Sequence, residues 1–327
     1  MIRTVLGDIA PSALGFCHAH EHVLIRASIG TRDNPDLLID DVEAATEEVR
    51  LFRSAGGAAL VDTMPLDCGR DPVGLVEVSR RTGVHIVATT GFHTRRYYEP
   101  GHWSEDLPVD EIAEVMVGEI LVGMDRRSHG GPYPERMSAC AGVLKIGTDE
   151  TGVDARARRL MEAAAEAHRR TGAPILTHTE RGRHGLSQLQ YFASLGIDPS
   201  VVLVSHVDRN LDKGEHRDLA GSGAYLVYDG LSRTKYHSVP EVIELIEHVA
   251  SHGAEDRVLL GMDLALRSYR VSTGGKPGLA FVLERFLPEL RAAGFSDEHV
   301  RKFGWDNPAK ALDFTVVPIA DEAPRTA

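Results

Sequence analysis

At 327 residues the chain is long enough for two domains or one large α/β barrel, and 43% apolar with 26% charged side chains is ordinary for a globular enzyme. A formal net charge of −12 argues against nucleic acid as a partner, since a phosphate backbone demands clustered Lys and Arg, but it leaves room for a locally basic pocket and a small anionic substrate. Three scattered cysteines, Cys17, Cys68 and Cys140, argue against a disulfide framework and fit a reducing cytoplasm; no signal peptide is expected, and no apolar run nears the ~18 residues of a membrane span.

The first strand is expected at 15–22, and it carries Cys17-His18-Ala19-His20-Glu21-His22. Alternate residues of a strand share a face, so His18, His20 and His22 project together. Two neutral imidazoles at i and i+2 can grip one metal ion. Val42, Ala45, Val49 and Phe52 then mark one face of a helix. Strands at 58–62 and 85–90 follow, with Pro72 and Pro108 as first-turn prolines of the helices after them. The stretches 95–106, rich in aromatics and Gly/Pro, and 125–138, containing Gly130-Gly131-Pro132, read as irregular loops. A strand at 141–145 precedes a helix with Leu160, Ala163, Ala164 and Ala167 on one side. Thr171-Gly172-Ala173-Pro174 stops that helix. Strands at 175–178, 201–206, 224–228 and 258–263 complete the series, with Pro240 as another first-turn proline. A late apolar stripe, Leu279, Val282, Leu283, Phe286, Leu287 and Leu290, marks a last helix. The polar tail 316–327 is expected to be loosely ordered, which leaves a single domain over 1–315.

Eight short apolar strands alternating with helices point to a (β/α)8 TIM barrel. An open doubly wound sheet is the alternative, but the Gly-rich phosphate fingerprint after the first strand is missing. Active sites of such barrels lie at the C-terminal ends of the strands. The final residues of the expected strands are His20, His22, Lys145, His178, His206 and Asp263, so four imidazoles, a lysine and a carboxylate would share one mouth. The other histidines read differently. His85 and His168 suit structural or surface roles, and His102, His129, His184 and His237 fall in loops where they would face solvent. Cys17 reads as a small core residue.

Five ordered segments carry a resemblance: His20-Glu21-His22-Val23, Val143-Leu144-Lys145-Ile146, Ile175-Leu176-Thr177-His178-Thr179, Val204-Ser205-His206-Val207-Asp208 and Gly261-Met262-Asp263. Together with Asp67-Cys68-Gly69-Arg70-Asp71 and Asn307-Pro308, they make the chain similar to the phosphotriesterase family of the amidohydrolase superfamily, which includes phosphotriesterase-like lactonases. The resemblance implies two divalent metal ions, zinc first, with cobalt, manganese or iron as alternatives. His20, His22 and Asp263 would bind the more buried ion and His178 and His206 the more exposed one. Lys145, carboxylated by carbon dioxide, would bridge them. His18 would lie one step deeper, as a core residue. A lysine ammonium has no lone pair, whereas its carbamate is an anionic oxygen ligand that forms only from the neutral amine. The implied reaction is attack of a metal-bridging hydroxide on a lactone or carboxylic ester, with phosphotriester cleavage as a native or side activity. Asp263 and Lys145 are then the catalytic residues, Asp263 as proton acceptor. Amide hydrolysis of the N-acyl amino acid type and metal-dependent binding without turnover are the rival readings; a homodimer is also implied.

Three loops should shape the substrate pocket. His93, Tyr97 and Tyr98 follow the third strand, Arg233 and Lys235 the seventh, and Arg267 the eighth; Arg181 and Arg183 follow His178. Lactonases of the family often have tyrosine where His93 falls and arginine where Gly230 falls. The cations on this side suit a carboxylate or phosphate, as on a sugar lactone bearing an anionic group.

Overall fold

The computed structural model describes residues 1–128 and 134–316. His129, Gly130-Gly131-Pro132 and all of the expected tail except Val316 lie outside the described residues. The chain opens with an antiparallel hairpin, β1 (Ile2–Thr4) and β2 (Gly7–Ile9). At three residues each, these strands are too short for a periodicity to register.

Eight parallel strands follow: β3 (Cys17–Glu21), β4 (Ala59–Asp62), β5 (His85–Phe92), β6 (Val143–Gly147), β7 (Ile175–His178), β8 (Val202–Ser205), β9 (Tyr225–Tyr228) and β10 (Val258–Leu260). They lie side by side in chain order. The sheet curls until the backbone N–H groups of Met262 and Asp263 reach the His20 carbonyl at 3.3 and 3.2 Å, which nearly closes it into a (β/α)8 barrel. Every expected barrel strand is present, but bounds move by one to three residues: the first shortens to 17–21 and the third extends to Phe92. The strand expected at 141–145 runs two residues later, and that at 258–263 ends at Leu260.

Parallel strands buried on both faces read as apolar runs. Alternate positions divide them into two cores. Cys17, Ala19, Ala59, Val61, Val87, Val143, Leu176, Leu203, Val227 and Leu259 pack together inside the barrel. Their neighbours Leu60, Ile86, Leu144, Ile175, Val204 and Leu260 pack outward against the helices.

Those helices are α2 (Val42–Ser54), α3 (Pro72–Thr82), α4 (Val109–Leu121), α5 (Ala155–Thr171), α6 (Gly185–Ser194), α7 (Lys213–Gly221) and α8 (Val239–Ser251), after a short α1 (Ile29–Asp33). Asp41, Asp71 and Asp154 cap the amide groups that open α2, α3 and α5, and Gly172 ends α5 in the left-handed region. Pro72 and Pro240 do fall in first turns, whereas Pro108 sits one residue earlier, as the cap of α4. The late apolar stripe is not one regular helix. A π-helical turn at Val282–Phe286 precedes α9 (Leu287–Ala292), and a second at Lys302–Asp306 lies between α10 (Asp297–Arg301) and α11 (Asn307–Ala311). Each π turn runs into an X-Pro pair, Leu287-Pro288 or Asn307-Pro308; proline has no N–H for the α-helical bond, so the ladder widens there. Among the described residues no helix is long and apolar enough to cross a membrane.

Candidate metal centre

Following the interior face of each strand upward leads to the mouth of the barrel. Above Val143 comes Lys145, above Leu176 comes His178, above Val227 comes Asp229, and above Leu259 and Gly261 comes Asp263. On the first strand the alternation breaks. The pairing of β3 with β4 shifts register between His18 and Glu21. Across that bulge Cys17 and Ala19 face inward, and so do His20 and His22. His18 is thrown outward, where its ring packs on Phe16 and Phe52 at 5.5 and 4.8 Å between centroids. The expectation that the three histidines share a face therefore fails at His18. Its demotion to a core residue agrees with this geometry, but the cause is the bulge rather than depth.

Two other site residues leave their strands through left-handed backbone: His206 at φ 65° and Asp263 at φ 50°. Non-glycine residues there cost about 1–3 kcal/mol each and concentrate at functional sites. The turn at His206 swings its ring inward from a position that alternation would send outward, and the turn at Asp263 is why the eighth barrel strand stops early.

The side chains meet closely. Asp263 Oδ1 lies 3.0 Å from His22 Nε2 and 3.6 Å from His20 Nε2. His206 Nε2 lies 2.9 Å from His178 Nδ1. Lys145 is 1% exposed and has no hydrogen-bond or ion-pair partner among the described residues. Asp229, fully buried, stands behind two of the rings. Its Oδ1 takes the His206 Nδ1 at 2.7 Å, and its Oδ2 takes the His206 backbone N–H at 3.2 Å. The same Oδ2 approaches His20 Nδ1 at 2.9 Å, without the alignment of a hydrogen bond. A carboxylate on Nδ1 turns Nε2 toward the site, the pattern seen behind metal-ligating histidines. Reading strand ends alone overlooked Asp229, although it directly follows Tyr228 at the end of β9.

Electrostatics keep this donor set neutral where it must be. Burial, with Lys145 next, lowers the pKa of His20 and of His178; burial, with Arg209 next, lowers that of His206. Burial brings Lys145 down to about 7, against the pull of Asp229 and Asp263. Burial works to raise the Asp263 carboxyl, but Arg233, His22, His206 and His20 hold it well below the usual carboxylate range. Neutral imidazoles and an ionised carboxylate are the states that bind metal. Buried ring nitrogens ordinarily have hydrogen-bond partners, yet His20 Nδ1 and His22 Nδ1 have none among the described residues. His20, His22 and Asp263 are close enough to hold one ion, and so are His20, His206 and Asp229. In the second group both Asp229 oxygens already accept bonds from His206, which suits Asp229 better to orienting the rings. The residues present fit metal binding.

Above the centre lies a pocket of about 340 Å³. Of the residues expected to touch substrate, His93, Tyr97, Arg233 and Lys235 line it. The His93 ring lies 4.6 Å from that of His178. Tyr98 does not line it: its buried hydroxyl accepts from the His93 N–H at 2.8 Å and donates to the Leu66 carbonyl at 3.1 Å, so it braces the loop. Arg267 is turned away too, toward Asp36 and the 273–276 loop on the outer surface. Arg181 and Arg183 are exposed, Arg181 pairing with Glu150 at 3.1 Å. Two further expectations about loop histidines fail. His237 is buried 3.3 Å from Asp208, and His102 bridges Asp67 and Ser104 at 2.8 Å each.

The pocket also holds Arg96 and Arg209, which the sequence reading did not place among the site residues. Arg209 joins Arg233 on Asp263 Oδ2, at 2.7 and 2.8 Å, and Arg96 pairs with Glu180 at 3.1 Å. Arg209 follows the family-like Val204-Ser205-His206-Val207-Asp208 segment directly, the only signal that could have drawn attention to it.

Comparison with known proteins points one way. The model of the phosphotriesterase family matches residues 1–312. A phospho-furanose lactonase of Mycoplasmopsis synoviae (strain 53) is 31% identical over 322 residues, covering 95% of this chain and 91% of its own. The crystal structure of a lactonase from Listeria monocytogenes superposes with a TM-score of 0.89 at 32% identity, covering 96% of this chain and 99% of that one. At greater distance, an N-acetyltaurine hydrolase of Danio rerio is 26% identical over 356 residues, covering 96% of this chain and 98% of its own.

Proposed function

The chain belongs to the phosphotriesterase family, and from that premise we propose a metal-dependent hydrolase that opens a small lactone or carboxylic ester carrying an anionic group. The observation that carries this reading is the convergence of His20, His22, His178, His206, Lys145 and Asp263 on one mouth beneath a cation-lined pocket. In this reading His20, His22 and Asp263 would hold one divalent ion and His178 and His206 a second, and Lys145, as its carbamate, would supply an anionic oxygen ligand to both. Zinc is the first candidate, with cobalt, manganese and iron as alternatives. Bound there, the ions supply an activated water at neutral pH and polarise the attacked carbonyl.

The chain's own groups do the rest. Burial keeps the Lys145 amine available as a free base near neutral pH, the form that adds to carbon dioxide with loss of one proton. Asp229 holds the ring of His206 in one tautomer and orientation and places its charge beside Nδ1 of His20. Asp263 is the carboxylate placed to take a proton from the attacking water. Arg209, Arg233 and Lys235 offer donors to an anionic substituent. Two relatives bear on the substrate: one is named for a phosphorylated sugar lactone, the other for an N-acylated sulfonate, and both names carry an anion. The lactone reading rests on the nearer of these; the farther one favours amide hydrolysis as the second reading. Phosphotriester cleavage fits as a side activity, because the same activated water serves either centre.

Metal analysis after gentle purification, followed by initial rates, tests this. The panel holds neutral and phosphorylated lactones, aryl esters, N-acyl amino acids and an aryl phosphotriester. We expect about two metal equivalents and the highest kcat/KM on an anionic lactone. Turnover confined to amides would move the assignment to the second reading. Less than one equivalent with no turnover would remove the enzyme reading altogether.

A further inference from the structure

The carboxylate of Asp263 is divided between two kinds of partner. Oδ1 faces the imidazoles of His20 and His22, as described above. Oδ2 faces two guanidinium groups, Arg209 at 2.7 Å and Arg233 at 2.8 Å, and Arg233 also donates to the Asp263 carbonyl. The two arginines come from different loops, one after β8 and one after β9, and both line the pocket. Their side chains are 6% and 10% exposed.

Two acceptor oxygens, Asp263 Oδ2 and the Asp263 carbonyl, do not satisfy two guanidinium groups, each of which carries five donors. Arg209 Nε and Arg233 Nε are both buried and have no hydrogen-bond partner among the described residues. Buried donors left over in a pocket wall call for an acceptor that arrives from outside. The planes are held for that purpose: Arg209 lies over the Tyr236 ring at 5.2 Å and Arg233 over the Tyr269 ring at 5.7 Å. Lys235 Nζ, 4.6 Å from the Tyr236 ring, adds a third cation with no carboxylate partner among the described residues. Two forks and an ammonium suit a tetrahedral oxyanion with three free oxygens better than a planar carboxylate.

We propose that Arg209 and Arg233 form an exchangeable clamp, which holds Asp263 Oδ2 until substrate enters and then transfers to a phosphate or sulfonate group on that substrate. The transfer leaves Oδ2 open to accept a hydrogen bond from the attacking water. A substrate without the anion leaves the clamp on Asp263, so selectivity is exerted on the chemical step as well as on binding. The inference rests on reading this pocket as the substrate site of a hydrolase, but its test needs no turnover.

Calorimetric titration of the protein as isolated compares sorbitol 6-phosphate, which has no bond for a lactonase to cleave, with sorbitol. We expect the phosphate to bind at least about 50-fold tighter, and Arg209→Gln and Arg233→Gln each to weaken that binding about 10-fold, as loss of one charge-assisted contact implies. Sorbitol 1-sulfonate, titrated in parallel, separates a general oxyanion site from one for phosphate alone. A crystal structure of the unmutated protein with sorbitol 6-phosphate should show both guanidinium groups on the phosphate and off Oδ2. Equal affinity for sorbitol and its phosphate, or guanidinium groups still on Asp263 with the phosphate elsewhere, would overturn the clamp. Failure of lactone hydrolysis with these binding results intact would count against the hydrolase reading only.

Discussion

His18 Nδ1 lies 2.8 Å from Glu21 Oε1, both side chains fully buried, although residues three apart on a regular strand point to opposite faces. The bulge that brings them together on the outside of the barrel is what delivers both His20 and His22 to the inside. His18→Ala should therefore leave the metal content near that of the unmutated protein, while His20→Ala should lose at least one equivalent. Elemental analysis of the two purified variants decides it. Equal loss from both would mean that His18 belongs with the ligands after all.

The second oxygen of Glu21 accepts the Leu264 N–H at 3.1 Å, across the seam where the first barrel strand meets the last. Arg270, 1% exposed, spans the same seam by donating to the His22 carbonyl and to the Leu264 carbonyl at 3.0 Å, with Glu48, Glu21 and Asp62 around it. Arg270→Met would leave the buried His22 and Leu264 carbonyls without their donor, a loss of about 1–3 kcal/mol. Denaturant titration of the metal-free protein measures this directly. A loss below about 1 kcal/mol would show that the seam is held by the backbone alone.

Asp229 touches both His20 and His206 without standing at the front of the site. Asp229→Asn keeps the shape and one acceptor oxygen but removes the charge that orients the rings. We expect metal affinity to fall about 10–100-fold with the fold retained. Competition with a chromogenic chelator reads the affinity, and far-UV circular dichroism reads the fold. Unchanged affinity would leave Asp229 a structural residue only.

Burial disfavours the charge of Lys145 and brings its ammonium down to about 7 from an ordinary 10.5. Between those two values the unfolded chain binds a proton that the native protein does not. Native stability of the metal-free protein therefore rises with pH across that window, and the destabilisation is complete below about 7, where both states are protonated. Lys145→Met should flatten the slope between pH 7 and 10. Denaturant midpoints at three pH values test this, and an unchanged slope would place its origin elsewhere. The same titration predicts that bicarbonate speeds metal uptake more at pH 8 than at pH 6 in the unmutated protein, and at neither pH in the variant.

The eight strands and most of the centre were legible in the chain for a simple physical reason. A parallel strand covered on both faces must be apolar throughout, so each run stands out, and the polar residue that ends it marks the open mouth of the barrel. His20, His22, Lys145, His178, His206 and Asp263 could be found that way because each lies within three residues of a strand end. The same alternation misplaced His18, because a bulge shifts register without altering composition.

The remaining decisions belong to the tertiary structure. Left-handed turns at His206 and Asp263 aim these side chains inward at a local energetic cost that only the assembled barrel can hold. Loop paths bring Arg209 and Arg233 onto one oxygen of Asp263 while turning Arg267 outward and making Tyr98 a brace. Asp229 gains its part only once β9 stands beside β8. Strand order and the identity of the donors follow from local sequence, since burial and polarity are written residue by residue. Which face a donor takes, and which charges meet above it, depends on contacts between segments 23 to 241 residues apart, such as His206 with Asp229 and His22 with Asp263.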